Sequence, residues 1–379
     1  MTVVICGAEM ITAHGGNRAT VFGQMLDGVV ANGPVRRPYP ERYRFRHAYE
    51  IADTPAGVPA QGRSTDWLLR VIASAMRDAK VDLATERLTI LIGTGLREQG
   101  SLENWHVDGA SFSLRDWDYA EAVRQRFGAE VEVQTFVNAC AATLCCLTVA
   151  KSLLELDDAD AVVVAGTDSL TSSMYGLLDR VSGGDAPERI QPFDLDRRGV
   201  LMGEGAAAVV LRRADDGPGV ARLAAAVQNC DGRHETAPAP DSIAELIESA
   251  HRTAGVAPDK IDLVLAHGTG TRLNDEAESE ALKQVFGAAS GRVLLSGTKG
   301  MTGHTAGPSG LINLITGLDI MNSGMVPPAP GLHRPLPNAA CFDLVTKGRR
   351  DARIDRFQVN AFGFGGVNAV AIVERANGD

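Results

Sequence analysis

Short apolar runs, typical of strands, follow one another along the chain with amphipathic stretches, typical of helices, between them. Strands are predicted from apolar or alternating runs at 3–6, 88–95, 131–137, 161–165 and 206–211. An amphipathic helix is predicted over 64–80, where apolar side chains recur at helical spacing: Leu68, Leu69, Val71, Ile72 and Met76. The stretch 140–155 is apolar almost all round, so we predict a buried helix there.

The second part of the chain repeats this order of predicted elements. After a strand near 221–227 and a helix near 242–254, strands are predicted at 262–266, 292–296, 357–360 and 369–373. A turn at Lys299 is predicted to lead into a helix that starts near His304, so that Cys140 and His304 hold equivalent places. The loop 214–219 is rich in turn residues. We therefore expect an α/β protein with two related halves, residues 1–213 and 214–379.

The composition indicates a folded globular protein and argues against some classes of binding partner. Apolar residues make up 45% and charged residues 22% of the 379 positions, enough for a full core. The net charge of −10 disfavours a nucleic-acid partner, and no apolar run reaches membrane-spanning length. The six cysteines lack zinc-site spacing, and Met1–Cys6 lacks the basic region of a secretion signal. We expect a cytoplasmic protein with reduced thiols and no metal site.

One thiol, Cys140, lies where a predicted strand runs into an apolar helix. Unpaired N–H groups and the helix dipole favour an anion at such a turn. The flanking residues in Asn138–Ala142 are small and let a ligand approach. A lone thiol is most often a core residue, and we interpret Cys145 and Cys146 in that way. The context of Cys140 instead predicts a nucleophile.

Two histidines follow predicted strands on glycine-rich turns, in the segments His267–Thr271 and Lys299–His304. Either histidine alone would be interpreted as a hydrogen-bonded core residue, whereas two on such turns favour a functional site. Thr269 and Thr271 offer hydroxyls to a ligand, and Lys299 would bias the protonation state of His304. One thiol and two imidazoles on separate turns suit acyl transfer through a thioester.

Two acidic residues and a second glycine-rich turn complete the candidate site. Asp275 and Glu278 follow His267 at a predicted helix start, where capping is the alternative interpretation of Asp275. Gly363–Gly366 lies between two apolar strands and predicts a tight hairpin whose N–H groups face the site. Because no helix follows these glycines, they are not a dinucleotide-binding motif.

These motifs together resemble those of the β-ketoacyl synthases, or ketosynthases, of the thiolase superfamily. The segments that carry the resemblance span nearly the whole chain: Asn138–Ala142, Pro192–Arg197, Gly203–Gly205, Thr236–Pro238, His267–Thr271, Asn274, Asp275, Glu278, Lys299–His304, Asn360–Gly366 and Asn368. The resemblance implies a thiolase-like layered αβαβα fold built from two pseudo-symmetric halves. The first half would carry the nucleophilic cysteine and the second both histidines.

The resemblance also implies roles for the candidate residues. Cys140 resembles the acyl-accepting nucleophile, and His267 and His304 resemble the pair that binds the extender carbonyl and promotes its decarboxylation. Lys299 resembles the lysine that holds the environment of the second histidine, and Glu278, with Asp275, resembles the supporting acid. The substrate-binding residues would be Thr269, Thr271, Phe362 and Phe364. Phe364 resembles the gating phenylalanine, whose N–H joins that of Cys140 in an oxyanion hole.

The predicted function is a condensing enzyme of fatty-acid or polyketide-type biosynthesis. An acyl group would move to Cys140 and then condense, with loss of carbon dioxide, with a malonyl-type thioester on an acyl carrier protein. Substrates would be attached as thioesters to the carrier's phosphopantetheine, so no bound cofactor is expected. The resemblance implies a homodimer, which strand 131–137 beside an apolar helix also favours. A heterodimer with a ketosynthase-like partner is the alternative.

Departures from the family pattern keep two other functions open. Asn138 stands two residues before the nucleophile, where the family usually has Thr, and the segment between Gly95 and Cys140 is short. The run Trp105–Tyr119 also differs from the usual segment. One alternative is an acyltransferase or cyclase that acts on a carrier-tethered chain without decarboxylation. The other is a non-catalytic partner like a chain-length factor, against which the intact Cys140, His267 and His304 argue.

Docking of an acidic carrier on this acidic chain would need a local positive patch. The candidates are six arginines: Arg36, Arg37, Arg42, Arg44, Arg46 and Arg63. A solvated loop is the alternative interpretation of the segment that holds the first five.

Overall fold

The computed structural model describes residues 1–36, 43–53, 61–181, 186–216 and 219–376. Strands of the first half lie in one part of a mixed sheet, except for a separate two-stranded ribbon formed by the second and third strands. Their bounds are β1 (Val3–Thr12), β2 (Gly33–Pro34), β3 (His47–Ala48), β4 (Leu88–Gly93), β5 (Glu132–Phe136), β6 (Ala161–Asp168) and β7 (Gly205–Arg213). The order in the sheet is β1-β7-β6-β4-β5. β7 runs antiparallel to both of its neighbours, and β4 is parallel to β5 and β6.

The second half repeats this strand order, with one further strand at its edge and a separate two-stranded sheet of β11 and β13. Its strands are β8 (Ala221–Cys230), β9 (Leu263–Leu265), β10 (Leu294–Ser296), β11 (Met325–Val326), β12 (Asp343–Leu344), β13 (Arg350–Asp351), β14 (Arg356–Phe362) and β15 (Val367–Arg375). The order is β8-β15-β14-β9-β10, with β12 outside β10 and the same alternation of parallel and antiparallel pairs. The halves meet where β1 pairs with β8. The predicted pseudo-symmetric α/β fold is confirmed, and the boundary between residues 213 and 214 stays a prediction.

Helices complete five layers. Their bounds are α1 (Arg18–Leu26), α2 (Arg63–Asp78), α3 (Gln99–Asp108), α4 (Ala120–Phe127), α5 (Ala142–Glu155), α6 (Ser172–Val181), α7 (Pro240–Ala254), α8 (Arg272–Phe286), α9 (Lys299–Thr302) and α10 (Ser309–Ser323). α5 and α10 pack between the two sheet halves, which explains why their side chains are buried on nearly every side. α2 covers the outer face of the first half, and α7 and α8 cover that of the second.

Two features of the chain depart from the sequence prediction. The helix expected to start near His304 starts at Ser309, because His304 pairs with Met202 in an isolated β-bridge and Ala306, with a φ of 53°, lies outside the helical region. The helices α1, α3, α4 and α6 lie where no helix was predicted. α3 buries only Ser101 and α4 only Val123, so neither carries an apolar stripe that the sequence pattern would reveal.

Gly93 packs closely beneath α5, so a methyl group added at this position should strongly lower the stability of the fold. A Cβ at Gly93 would lie 2.6 Å from the backbone nitrogen of Thr143 and 2.7 Å from the carbonyl carbon of Ala142. Gly93→Ala is therefore expected to lower the free energy of unfolding by about 2 kcal/mol, measured by urea unfolding. Gly23→Ala in α1 is the control, because a Cβ there meets nothing within 4 Å. Equal stability of the two variants would contradict this packing.

Candidate active site

The candidate residues converge where strands of both halves end. Cys140 follows β5, His267 follows β9, His304 follows α9, and Phe364 lies in the hairpin between β14 and β15. All four line one pocket of about 110 Å³. The pocket is also lined by Phe362, Thr269 and Thr271, so the predicted substrate-binding residues lie together with the predicted catalytic ones.

His304 contacts both the sulfur of Cys140 and the ring of His267. The Nε2 atom of His304 lies 3.0 Å from the Sγ atom of Cys140. The ring centroids of His304 and His267 are 5.4 Å apart with an interplanar angle of 86°. Phe362 also packs against His267, with 5.6 Å between ring centroids. A small group bound at this point would contact the thiol and both imidazoles together.

The backbone around Cys140 is strained and closely packed. Ala139 has a φ of 48°, a conformation that costs an alanine roughly 1–3 kcal/mol and that is often found at functional sites. Residues Ala139–Ala141 form a 3₁₀ turn before α5 begins. A Cβ at Gly363 would lie 3.2 Å from the carbonyl oxygen of Asn138, so glycine lets the hairpin approach this turn. The backbone N–H groups of Phe364 and Cys140 both stabilise the anionic form of the sulfur.

Burial decides the charge state of the resting thiol. It raises the pKa of Cys140 to about 11, although the ammonium of Lys299 and the N–H groups of Phe364 and Cys140 lower it. The resting site therefore holds a neutral thiol. From the sequence, the turn was expected to favour an anion. The N–H groups of Phe364 and Cys140 do lower the pKa of the thiol, but burial raises it by more.

The raised pKa predicts how alkylation of Cys140 depends on pH. Because only the thiolate reacts, the rate with iodoacetamide should rise about tenfold per pH unit between pH 7 and 9, without a plateau. Peptide mapping of the Cys140 adduct at each pH gives the rate, and the exposed Cys230 provides an internal comparison. A rate that is flat above pH 7 would show a low pKa and would contradict this assignment.

Both histidines are neutral at physiological pH. Burial lowers the pKa of His267 and His304 well below its ordinary value, and the charge of Lys299 lowers both further. The Nδ1 atoms of both rings are buried and make no hydrogen bond to any residue that the structure describes. No protein partner at Nδ1 thus fixes the tautomer of either ring, and each Nε2 can accept or donate a proton.

Lys299 is buried near both histidines, and its charge lowers the pKa of each. Its ammonium donates to the backbone carbonyl oxygen of His267, so it fixes the position of the first histidine's turn. Burial lowers the pKa of Lys299 to about 8, and the carboxylate of Glu278 raises it. The sequence prediction tied Lys299 to His304; the structure adds the direct contact with His267.

Two buried carboxylates hold the His267 turn. Glu278 accepts hydrogen bonds from the backbone N–H groups of His267 and Gly268, both at 2.8 Å. Asp275 accepts from the N–H of Phe193 at 2.7 Å and from that of Gly270 at 3.2 Å. Capping does not describe Asp275, since the hydroxyl of Thr271 caps α8 by accepting from the N–H of Asn274.

The structure adds pocket residues that the sequence analysis missed. Met174 and Leu178 on α6 line the pocket, and their spacing of one helical turn was the available signal. Asp168 ends β6 and accepts from the N–H groups of Gly95 and Gly307, both at 2.8 Å. It thereby joins the walls of the pocket from the two halves of the chain, and burial raises its pKa to about 6.

Arg63 is not available for docking a carrier protein. It is buried, and its guanidinium donates to both carboxylate oxygens of Glu204 at 2.9 Å and to Asp53 at 2.9 Å. The docking prediction is wrong for Arg63, because partners distant in the sequence enclose it. Among the other candidates, Arg36 pairs with Glu50 and Arg44 with Asp179, and Arg46 also has partners. Arg37 and Arg42 lie outside the described residues.

The described part of the chain lacks two kinds of feature. No helix there is long and apolar enough to cross a membrane. Likewise, across the described ranges, no group of three or more His, Cys, Asp or Glu side chains is placed to hold a metal ion.

Comparisons with known proteins agree with the geometry of the site. Residues 2–217 match the family model described as "Beta-ketoacyl synthase, N-terminal domain", and residues 220–333 match the corresponding C-terminal domain. The chain is 25% identical to a 3-oxoacyl-[acyl-carrier-protein] synthase 2 of Coxiella burnetii, with 98% of each chain covered. It is 27% identical to the chloroplastic 3-oxoacyl-[acyl-carrier-protein] synthase I of Hordeum vulgare, over 98% of this chain and 88% of the relative. Among solved structures, the ishigamide ketosynthase/chain length factor matches with a TM-score of 0.89, 26% identity and 99% coverage of both chains.

Proposed function

The chain belongs to the β-ketoacyl synthase family, and from this premise we propose that it joins a Cys140-bound acyl group to a malonyl-type extender with loss of carbon dioxide. The observation that carries the proposal is the contact of 3.0 Å between the Cys140 sulfur and His304, beside the ring of His267. A thiol for covalent transfer and two neutral N–H donors for an enolate occupy one pocket.

In the first step, the Cys140 thiol attacks the carbonyl carbon of an acyl thioester. The Nε2 atom of His304 is placed to accept the thiol proton, which compensates for the raised pKa of the sulfur. The N–H groups of Cys140 and Phe364 stabilise the oxyanion of the tetrahedral intermediate. The bond to the carrier sulfur breaks, that sulfur takes the proton, and the acyl group remains on Cys140.

In the second step, the extender thioester binds with its carbonyl oxygen between the two imidazoles. Both rings present Nε2–H in this step; His304, whose Nε2 accepted and then gave up the thiol proton, does so after its ring proton moves from Nδ1 to Nε2 through solvent. Each Nε2–H donates a hydrogen bond, so the electron pair left by departing carbon dioxide is held as an enolate. Its carbon attacks the acyl thioester on Cys140, a carbon–carbon bond forms, and the sulfur leaves as a thiolate that takes a proton from solvent. Lys299 and Glu278 keep the His267 turn in place during this step.

Substrates would arrive on an acyl carrier protein, which the names of both curated relatives include. Thr269 and Thr271 line the pocket with their hydroxyl groups 2.9 Å apart, which suits binding of an amide-bearing phosphopantetheine arm. Arg36, Arg44 and Arg46 stay candidates for the docking patch. No tightly bound cofactor is needed for either step, and we expect the reaction to take place in the cytoplasm.

We propose a homodimer in which β5 takes part. This strand pairs only with β4 and so ends the sheet described by the structure, and Val137 just after it is 46% exposed. An edge strand with an exposed apolar neighbour is stabilised by a further strand. The related ishigamide protein is a ketosynthase/chain length factor, so a heterodimer with such a partner is the alternative. Light scattering of the purified chain alone distinguishes the two.

Release of labelled carbon dioxide tests the proposed reaction. The protein is first acylated with a short acyl thioester and then given a malonyl thioester that carries ¹⁴C in its free carboxyl group. A condensing enzyme releases ¹⁴CO₂ in step with product. An acyltransferase or cyclase would consume the acyl-enzyme without release, and a non-catalytic partner would form no acyl-enzyme.

A further inference from the structure

A line of buried polar side chains connects α7 to the turn that holds His267. It runs from His251 on α7 through Gln358 and Asn360 on β14 to Glu278 on α8, and each of these residues is at most 4% exposed. The successive contacts measure 2.8 Å from His251 Nε2 to Gln358 Oε1, 2.8 Å from Gln358 Nε2 to Asn360 Oδ1, and 3.0 Å from Asn360 Nδ2 to Glu278 Oε1. The same Oε1 atom accepts the N–H of His267 at 2.8 Å.

The carboxylate at one end fixes the direction of every hydrogen bond in the line. Glu278 accepts, so Asn360 must present its Nδ2 to it and turn its Oδ1 toward Gln358. Gln358 must then donate from Nε2, which leaves its own Oε1 needing a donor. Only Nε2–H of His251 supplies that donor among the described residues, so His251 carries its proton on Nε2.

Packing alone does not account for an imidazole at position 251. The ring contacts Phe286 edge to face, with 5.5 Å between centroids, and lies in the apolar layer between α7, α8 and β14. Its Nδ1 is buried without a hydrogen bond to any described residue, which carries a cost in free energy. A leucine would fill a similar volume without that cost. The property that distinguishes the imidazole is its single donated hydrogen bond to Gln358.

We propose that His251 is a positioning residue for His267, acting through Gln358, Asn360 and Glu278. Without the donor on His251, the Oε1 atom of Gln358 is unpaired in the core and its amide turns away from Asn360. Asn360 then loses its fixed orientation toward Glu278, and the carboxylate that holds the His267 turn becomes mobile. This inference rests on the proposed function, because the proposed function assigns His267 to decarboxylation.

Leucine and glutamine at position 251 separate the hydrogen bond from the volume. His251→Leu keeps the apolar contact with Phe286 and removes the donor, whereas His251→Gln keeps an N–H near the position of Nε2. We expect His251→Leu to lower kcat for malonyl-thioester decarboxylation roughly 5- to 20-fold with little change in KM, and His251→Gln to restore most of it. Alkylation of Cys140, which lies in the other half of the chain, should change less than about twofold.

A double-mutant cycle and a matched control complete the design. Gln358→Leu should lower kcat as much as His251→Leu, and the double variant should be no worse than either, because each breaks the same line. Thr316→Val removes an equally buried hydrogen bond, from the hydroxyl to the carbonyl of Ile312 in α10, and should leave kcat unchanged. Additive losses, or wild-type kcat in His251→Leu, would overturn the inference.

A measurement that needs no catalytic turnover separates the test of His251 from the test of the proposed reaction. If the wild type releases no carbon dioxide, the proposed function fails, and ring signals of ¹³C-labelled histidine still report on the line. The chain has eight histidines, and a His267→Gln variant assigns the signal of that ring. The signal should move in His251→Leu and stay in place in His251→Gln and Thr316→Val. An unmoved signal in His251→Leu would overturn the inference whatever the reaction is.

Discussion

Replacement of Cys140 by alanine is expected to abolish acylation of the protein by acyl thioesters, with a loss of at least ~10³-fold in condensation. The sulfur is the atom that contacts His304 and faces the N–H groups of Cys140 and Phe364, and alanine offers no nucleophile there. Intact-mass spectrometry after incubation with an acyl thioester measures the loss directly. Decarboxylation of a malonyl thioester should persist in this variant, because both imidazoles remain.

The control for this variant is the exposed thiol Cys230. Cys230→Ser should acylate and condense like the wild type, since its side chain is not among those that line the pocket. Peptide mapping of the acylated wild type should place the adduct on Cys140. An adduct that survives in Cys140→Ala and disappears in Cys230→Ser would show that the nucleophile has been assigned to the wrong residue.

Replacement of either active-site histidine by alanine is expected to lower the rate of decarboxylation by ~10²–10³-fold, because each removes one hydrogen-bond donor to the enolate. The two variants should differ in acylation. His304→Ala should also slow acylation of Cys140, since its Nε2 lies 3.0 Å from the sulfur. His267→Ala should acylate at a rate close to that of the wild type.

The comparison needs an exposed histidine as a control, and His106 in the last turn of α3 provides it. His106→Ala should leave both rates unchanged. Decarboxylation at the wild-type rate in both His267→Ala and His304→Ala would remove the imidazoles from the proposed mechanism. Slow acylation in His267→Ala but not in His304→Ala would reverse their assigned roles.

The spacing of apolar residues along the chain was sufficient to predict the helices and strands that are buried on one face or on all faces. The apolar stripe of α2, the uniformly apolar α5 and the glycine-rich hairpin after β14 follow directly from residue spacing. The repeated order of elements also indicated two related halves, which the matching strand orders confirm. Membership of the ketosynthase family, suggested by the motifs, is confirmed by the matches to both family domains.

What the sequence did not reveal depends on contacts between distant segments. Arg63 looked like a free surface cation because Glu204, its buried partner, is remote in the chain. The pKa of Cys140 depends on the pocket that both halves build around it, and helix-dipole reasoning from local sequence gave the opposite direction. The line from His251 to Glu278 likewise joins three separate elements, so spacing along the chain carried no sign of it.

The mass of the product formed on the carrier tests most directly whether Cys140 catalyses a decarboxylative condensation. The protein would be incubated with a short acyl thioester and a malonyl carrier protein labelled with ¹³C at the carbon next to the thioester. We expect a carrier-bound β-ketoacyl chain that retains the label, has lost carbon dioxide and is absent with Cys140→Ala. Transfer of the intact acyl group to the carrier, with the malonyl group unchanged, would contradict this expectation.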